Sequence, residues 1–206
     1  KLANTVGQYI SVDLLTNRPD CELMSQHKTF NVNVITSFAR DWGPLYLEDG
    51  NQKKVIAAYK IGLDASELAN LFQNVLSDLS VPVAGGNFQV NESGVCVTAV
   101  PNWAGLDSYK DELNRSFKNI GCKKVVFLQP AFAEKTKHVD ILFQFIDDKN
   151  VVLAYDKNEN LQINSELFES NINILKENGF NVFVIPQSGA FDTDSKGTFV
   201  HISYVN

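Results

Sequence analysis

Cysteine is scarce in this sequence, and what there is does not cluster. Cys21, Cys96 and Cys122 are the three in 206 residues. They form no CxxC pair and no metal-ligand spacing, so the pattern offers neither a zinc site nor a dithiol centre. The low, odd count suits a reducing, cytoplasmic compartment, with a secreted or periplasmic one as the alternative. Basic runs are missing too. The net charge is −6 and no lysine or arginine stripe appears, which argues against a nucleic-acid partner. No apolar stretch approaches the roughly 20 residues that span a bilayer as a helix, so no membrane partner is expected. The chain opens at Lys1 with neither a methionine nor a signal-like segment, as a processed product or a fragment would.

What is present is a chain able to bury a sizeable core, 44% hydrophobic and 20% charged. Three polar turns, "DGN", "ESG" and "DKN", each separate two apolar stretches. Glycine, asparagine and aspartate are the residues of hairpin loops. The first strands read as "GPLYLE" (43–48), "NFQV" (87–90) and "HVDILFQFI" (138–146). A helix is expected after each hairpin: Ala65 to Ser80, Ser108 to Ile120 and Asn164 to Asn178. Leucine and phenylalanine recur there at helical spacing. Gly121 and Gly179 stop the second and third helices. A short apolar strand then follows each: "SVPVAG", "CKKVVFLQP" and "NVFVIPQ". The strand–strand–helix–strand unit thus repeats, and repeats of this size build arrays or propellers around an axis.

The polar motifs sit at equivalent places in the repeat. Asp41 in "FARDWGP", Gly85-Gly86-Asn87 in "VAGGNFQV" and His138 with Asp140 in "KHVDIL" all open a hairpin's first strand. On a strand of period two, His138 and Asp140 point to one side. Equivalent ends of repeated units gather at the axis, so these residues are expected to share a pocket. Two carboxylates and a histidine suit a planar cation. Carboxylates match the fixed N–H fork of a guanidinium, and histidine moves protons near neutral pH. Such a pocket still lacks a nucleophile. Cys96 lies in an apolar strand and reads as a small buried hydrophobe, and Cys122 follows a helix stop and reads as structural.

"FARDWGPLYLEDG", "AGGNFQVNESGVCVTA", "KHVDILFQFIDDKNVVLAYD" and the closing "HISYVN" resemble, in order, the signatures of the agmatine deiminase and bacterial peptidylarginine deiminase family. The resemblance implies an α/β pentein fold, a five-unit αβ propeller, with three to four units in residues 1–206. It implies hydrolysis of a guanidino group, on agmatine or peptidyl arginine, with no cofactor and no metal. Asp41 and Asp140 would hold the guanidinium nitrogens and His138 would be the acid/base. Phe38, Trp42, Gly85, Gly86 and Asn87 would line the pocket. A cysteine thiolate would attack the carbon and form a thiouronium intermediate.

Two departures from the family pattern stand out. Ala84 replaces the glutamate of the family's E-G-G, and the G-G-x-H-C stretch that carries the nucleophile is not in these residues. The expectation is a partial catalytic domain, inactive alone, completed by a C-terminal fragment or a second chain. The alternative is a non-catalytic relative that binds arginine-like groups or a protein.

Overall fold

The computed structural model describes residues 13–16, 28–31, 45–48, 54–58, 70, 75–101, 106–131, 136–156, 162–187, 192–193 and 199–200. The chain divides into two compact parts, Lys1–Asp78 and Leu79–Asn206.

In the first part, β1 (Asp13–Thr16) runs parallel to β2 (Lys28–Asn31). A three-stranded sheet follows, ordered β3 (Leu45–Glu48), β4 (Lys54–Ala58), β5 (Val75–Asp78). β3 and β4 form the expected antiparallel hairpin, with Leu45 opposite Ala57. β5 corrects the helix expected over Ala65 to Ser80. Its end is a strand, parallel to β4, with Val75 beside Val55 and Asp78 beside Ala58. A short apolar run such as "VLSD" does not by itself separate helix from strand. The edge of β4 decides, because its N–H and C=O groups need partners. The strand expected at "SVPVAG" joins no ladder either. Leu79, Val81 and Val83 are buried and alternate with exposed Ser80 and Pro82, but Pro82 has no N–H to give a sheet.

The second part repeats the pattern twice. β6 (Gln89–Val90), β7 (Val95–Ala99) and β8 (Lys124–Leu128) make one sheet, with α1 (Asp107–Asn119) linking β7 to β8. β9 (Phe143–Phe145), β10 (Asn150–Asp156) and β11 (Asn181–Gln187) make the next, with α2 (Gln162–Glu177) linking β10 to β11. All three three-stranded sheets share one pairing: first strand antiparallel to second, second parallel to third. A short pair, β12 (Asp192–Thr193) with β13 (Phe199–Val200), follows.

The helices end as the glycines require. Gly121 takes φ 107 and Gly179 takes φ 91, left-handed values that a side chain resists. The Gly121 N–H donates to Lys118 O at 3.1 Å and the Cys122 N–H to Phe117 O at 3.0 Å. Gly179 and Phe180 donate in the same way to Lys176 and Leu175, at 2.9 and 3.1 Å. Both closures are Schellman motifs, which place an apolar residue just past the glycine.

The rungs of the two sheets can be matched. Gln89, Val97 and Val126 pair across one sheet, and Gln144, Val152 and Phe183 across the other. The Gln89 side-chain N–H₂ joins them, donating to Phe143 O and to Gln144 Oε1, both at 3.1 Å. At the hairpin tips Asn91 Nδ2 donates to Asp148 O at 3.3 Å, and the Ser93 N–H to Asp148 Oδ1 at 2.9 Å. On the far side, buried Asn171 of α2 takes the Gln129 N–H at 2.7 Å and donates to Gln129 O at 2.8 Å. A side-chain amide thus stands in for a strand partner at the end of β8.

One core serves both repeats. Val97, Val126 and Leu128 pack with Val139, Leu142, Phe143, Val151, Leu153, Leu175 and Phe180. Phe143, Phe145 and Phe180 form an edge-to-face chain at 4.9 and 5.8 Å. Burying Phe143 or Phe180 contributes about 1.5–3 kcal/mol. On the other side, Phe88 meets Phe117 of α1 edge-on at 4.9 Å.

Cys96 is buried in β7 as expected, but it is not a free thiol. Cys96 and Cys122 form a disulfide, 26 residues apart, around α1. The parallel crossover explains it. The Lys123 N–H donates to Gly94 O at 2.8 Å, so the residue past the helix stop lies beside β7.

Candidate active site

Two turns carry the candidate residues of the second part. Gly85–Asn87 is one turn of 3-10 helix leading into β6, with Gly85 and Gly86 buried. Val139–Ile141 is a second such turn leading into β9, preceded by His138 in extended conformation. His138 and Asp140 therefore do not alternate along a strand as the period-two reading expects. β9 begins only at Phe143. Lys137, just before the histidine, holds φ 60, a left-handed value uncommon outside glycine. His138 is half-buried and Asp140 is 3% exposed.

The two turns lie against each other. Asn87 joins them. Its Oδ1 accepts the Val139 N–H at 3.1 Å and the Ala99 N–H at 2.9 Å. Its Nδ2 donates to Ala99 O at 3.0 Å. Its own carbonyl accepts the Thr98 hydroxyl at 2.7 Å, and its N–H donates to Ala84 O at 2.8 Å. Gly85, Gly86, Asn87, His138 and Asp140 are thereby brought to one end of the two sheets. Phe38, Asp41 and Trp42 lie outside the described residues, as do Cys21 and the closing "HISYVN".

Thr98, Gln89 and Asn171 escaped the sequence reading. A signal for Gln89 was available: "NFQV" and "LFQF" place Phe-Gln at the same point of successive repeats.

Residues 1–206 match the profile of the Porphyromonas-type peptidyl-arginine deiminase family. The chain belongs to that family. Through it the protein falls in the pentein superfamily, as the motifs led one to expect. Solved structures of similar shape are deiminases. The agmatine deiminase of C. jejuni is 21% identical, with a TM-score of 0.70 over 90% of this chain and 61% of its own. The agmatine deiminase of Enterococcus faecalis is 14% identical, with a TM-score of 0.69 over 98% and 65%. A Porphyromonas gingivalis protein, provisionally assigned as an arginine deiminase, is 17% identical, with a TM-score of 0.74 over 100% and 70%. At these identities the likeness concerns the fold. The chain spans about three fifths of the length of the C. jejuni enzyme. No curated protein matches it in sequence.

Proposed function

We propose that this family member hydrolyses a guanidino group, on agmatine or on an arginine side chain, at the end of the repeats where the Gly85–Asn87 and Val139–Ile141 turns meet. One observation carries the reading. Asn87 Oδ1 and the Val139 N–H, 52 residues apart, are 3.1 Å from one another, so the Gly-Gly-Asn and His-Val-Asp motifs adjoin. Asp140 would hold the cation through charge-assisted hydrogen bonds. A thiolate attacks the guanidinium carbon, and the tetrahedral adduct expels ammonia as His138 protonates the leaving nitrogen. His138 then takes a proton from water, which attacks the thiouronium carbon. The ureido product leaves and the thiolate is regenerated.

The nucleophile is proposed to lie outside residues 1–206, in further repeat units that complete a propeller. Two facts support this. Cys96 and Cys122 are both held in a disulfide, so neither offers a thiolate. The chain also spans 61% of the C. jejuni enzyme. The same disulfide supports folding in an oxidising compartment, the secreted or periplasmic alternative. A non-catalytic role as a binder of arginine-like groups is the second reading, favoured by Ala84 where the family has a glutamate.

Ammonia and ureido product measured from agmatine and from an arginine peptide decide between them. The full-length protein should release both products from one of these substrates, and residues 1–206 alone should release neither. Binding of either compound without any ammonia from the full-length protein would favour the second reading.

A further inference from the structure

We propose that Asn87 is a positioning residue for His138 and Asp140: its carboxamide holds the backbone between them and ties it to β7. The inference rests on the hydrolase reading of this site and adds a part to it.

A three-residue turn cannot satisfy its own backbone groups. The first N–H groups of a helical turn have no partner within it. The Val139 side chain is fully buried, so its N–H has no water to turn to. A buried N–H without a partner costs about 1–3 kcal/mol. Asn87 Oδ1 meets it at 3.1 Å. That N–H lies on the peptide joining His138 to Val139, one residue ahead of Asp140. Holding it fixes the chain direction on which both side chains hang.

Asn87 can do this because it is itself held. The Ala99 N–H and C=O grip its carboxamide at 2.9 and 3.0 Å, as a strand partner would. The Thr98 hydroxyl, fully buried, grips its carbonyl at 2.7 Å. Ala99 ends β7, which is paired on both sides. Position therefore passes from a central strand through Asn87 to the turn. Oδ1 has taken two N–H donors and Nδ2 has given one proton. The side chain accordingly serves the backbone first, whatever its remaining N–H contacts.

Three variants of the full-length protein test this. Asn87→Ala removes all three side-chain bonds. Asn87→Asp keeps an acceptor for both N–H groups and loses the donor to Ala99 O. Asn91→Ala is the control, since Asn91 also bridges the two repeats but at the hairpin tips, on Asp148. A misplacement of about 1 Å at a catalytic group can cost 10²-fold. Asn87→Ala should therefore lower kcat at least about 10-fold with the fold intact by circular dichroism, Asn87→Asp, whose second oxygen would face Ala99 O, should recover only part of that loss, and Asn91→Ala should stay within about threefold of the parent. Exchange of the Val139 amide should quicken at least about 10-fold in Asn87→Ala and not in Asn91→Ala. Equal losses in Asn87→Ala and Asn91→Ala, or an unchanged Val139 amide, would overturn the proposal. If the parent protein releases no ammonia, the hydrolase reading fails. The amide exchange and the His138 imidazole resonance, displaced by Asn87→Ala alone or not at all, then still decide what Asn87 does.

Discussion

The sheets β6–β7–β8 and β9–β10–β11 solve the same packing problem by different means. Cys96 occupies the rung Val90–Cys96–Val125, and Val151 the matching rung Phe145–Val151–Val182. Cys122 and Phe180 both follow a left-handed glycine. So where one repeat joins its strand to its helix stop by a disulfide, the other does so by burying Val151 and Phe180 in the common core. The outer strands differ as well. Val126 is 2% exposed, covered in the core with the following repeat, whereas Phe183 on the matching rung is 54% exposed. The core shared with the next repeat thus covers β8 at a position that β11 leaves exposed.

The largest effect should come from opposing these rungs directly. Val126→Asp places an unpaired carboxylate in the core and should cost on the order of 4–5 kcal/mol or prevent folding. Phe183→Asp should change the stability of residues 1–206 by less than about 0.5 kcal/mol and raise their solubility. Chemical denaturation of both variants checks the contrast, and equal losses would break it.

Next comes the covalent link. Reducing Cys96–Cys122, or replacing both residues by alanine, should cost about 3–4 kcal/mol, the loop entropy of a 26-residue span. The midpoint in denaturant with and without reductant measures it, and an unchanged midpoint would mean that packing alone suffices there too.

A smaller loss is expected at the join between repeats. Asn171→Ala strands the Gln129 N–H and C=O at the end of β8 and should cost about 1–3 kcal/mol. Its thermal midpoint should fall.

The smallest effect is a pH dependence. Hydrogen bonds from the Asn150 side chain, then from the Lys149 and Asn150 N–H groups, hold the Asp147 carboxyl below the usual carboxylate range, with Lys149 adding a favourable charge. The folded value lies below the unfolded one. The stabilisation is therefore present above the unfolded pKa and fades as pH falls through the folded one. Asn150→Ala should raise the Asp147 titration midpoint, read from its side-chain carbon resonance, with little change in stability because the group is fully exposed.

Much of the architecture was legible because its signals are local. Gly121 and Gly179 mark helix ends whose conformation only glycine adopts easily, and the turns at "ESG" and "DKN" mark hairpins. The helices observed at Asp107–Asn119 and Gln162–Glu177 lie within two residues of expectation. What failed was decided at a distance. Val75–Asp78 is a strand because β4 lies beside it, not because of its own composition. The disulfide joins residues that only the crossover brings together. Of the candidate site, the motifs were visible but their junction was not. Asn87 reads as a pocket residue in sequence, while in the fold it serves Val139 and Ala99. Asp140 leaves the strand pattern because a 3-10 turn precedes β9.

The most direct test of the shared site is the initial rate of ammonia release by the full-length protein against agmatine concentration, for the parent, Asp140→Asn and His138→Ala. The two variants should split the kinetic constants between them. Asp140→Asn should raise KM by removing a charge-assisted pair, and His138→Ala should lower kcat on the order of 10²-fold or more by removing the acid/base. Parent-like kcat in His138→Ala together with parent-like KM in Asp140→Asn would contradict it.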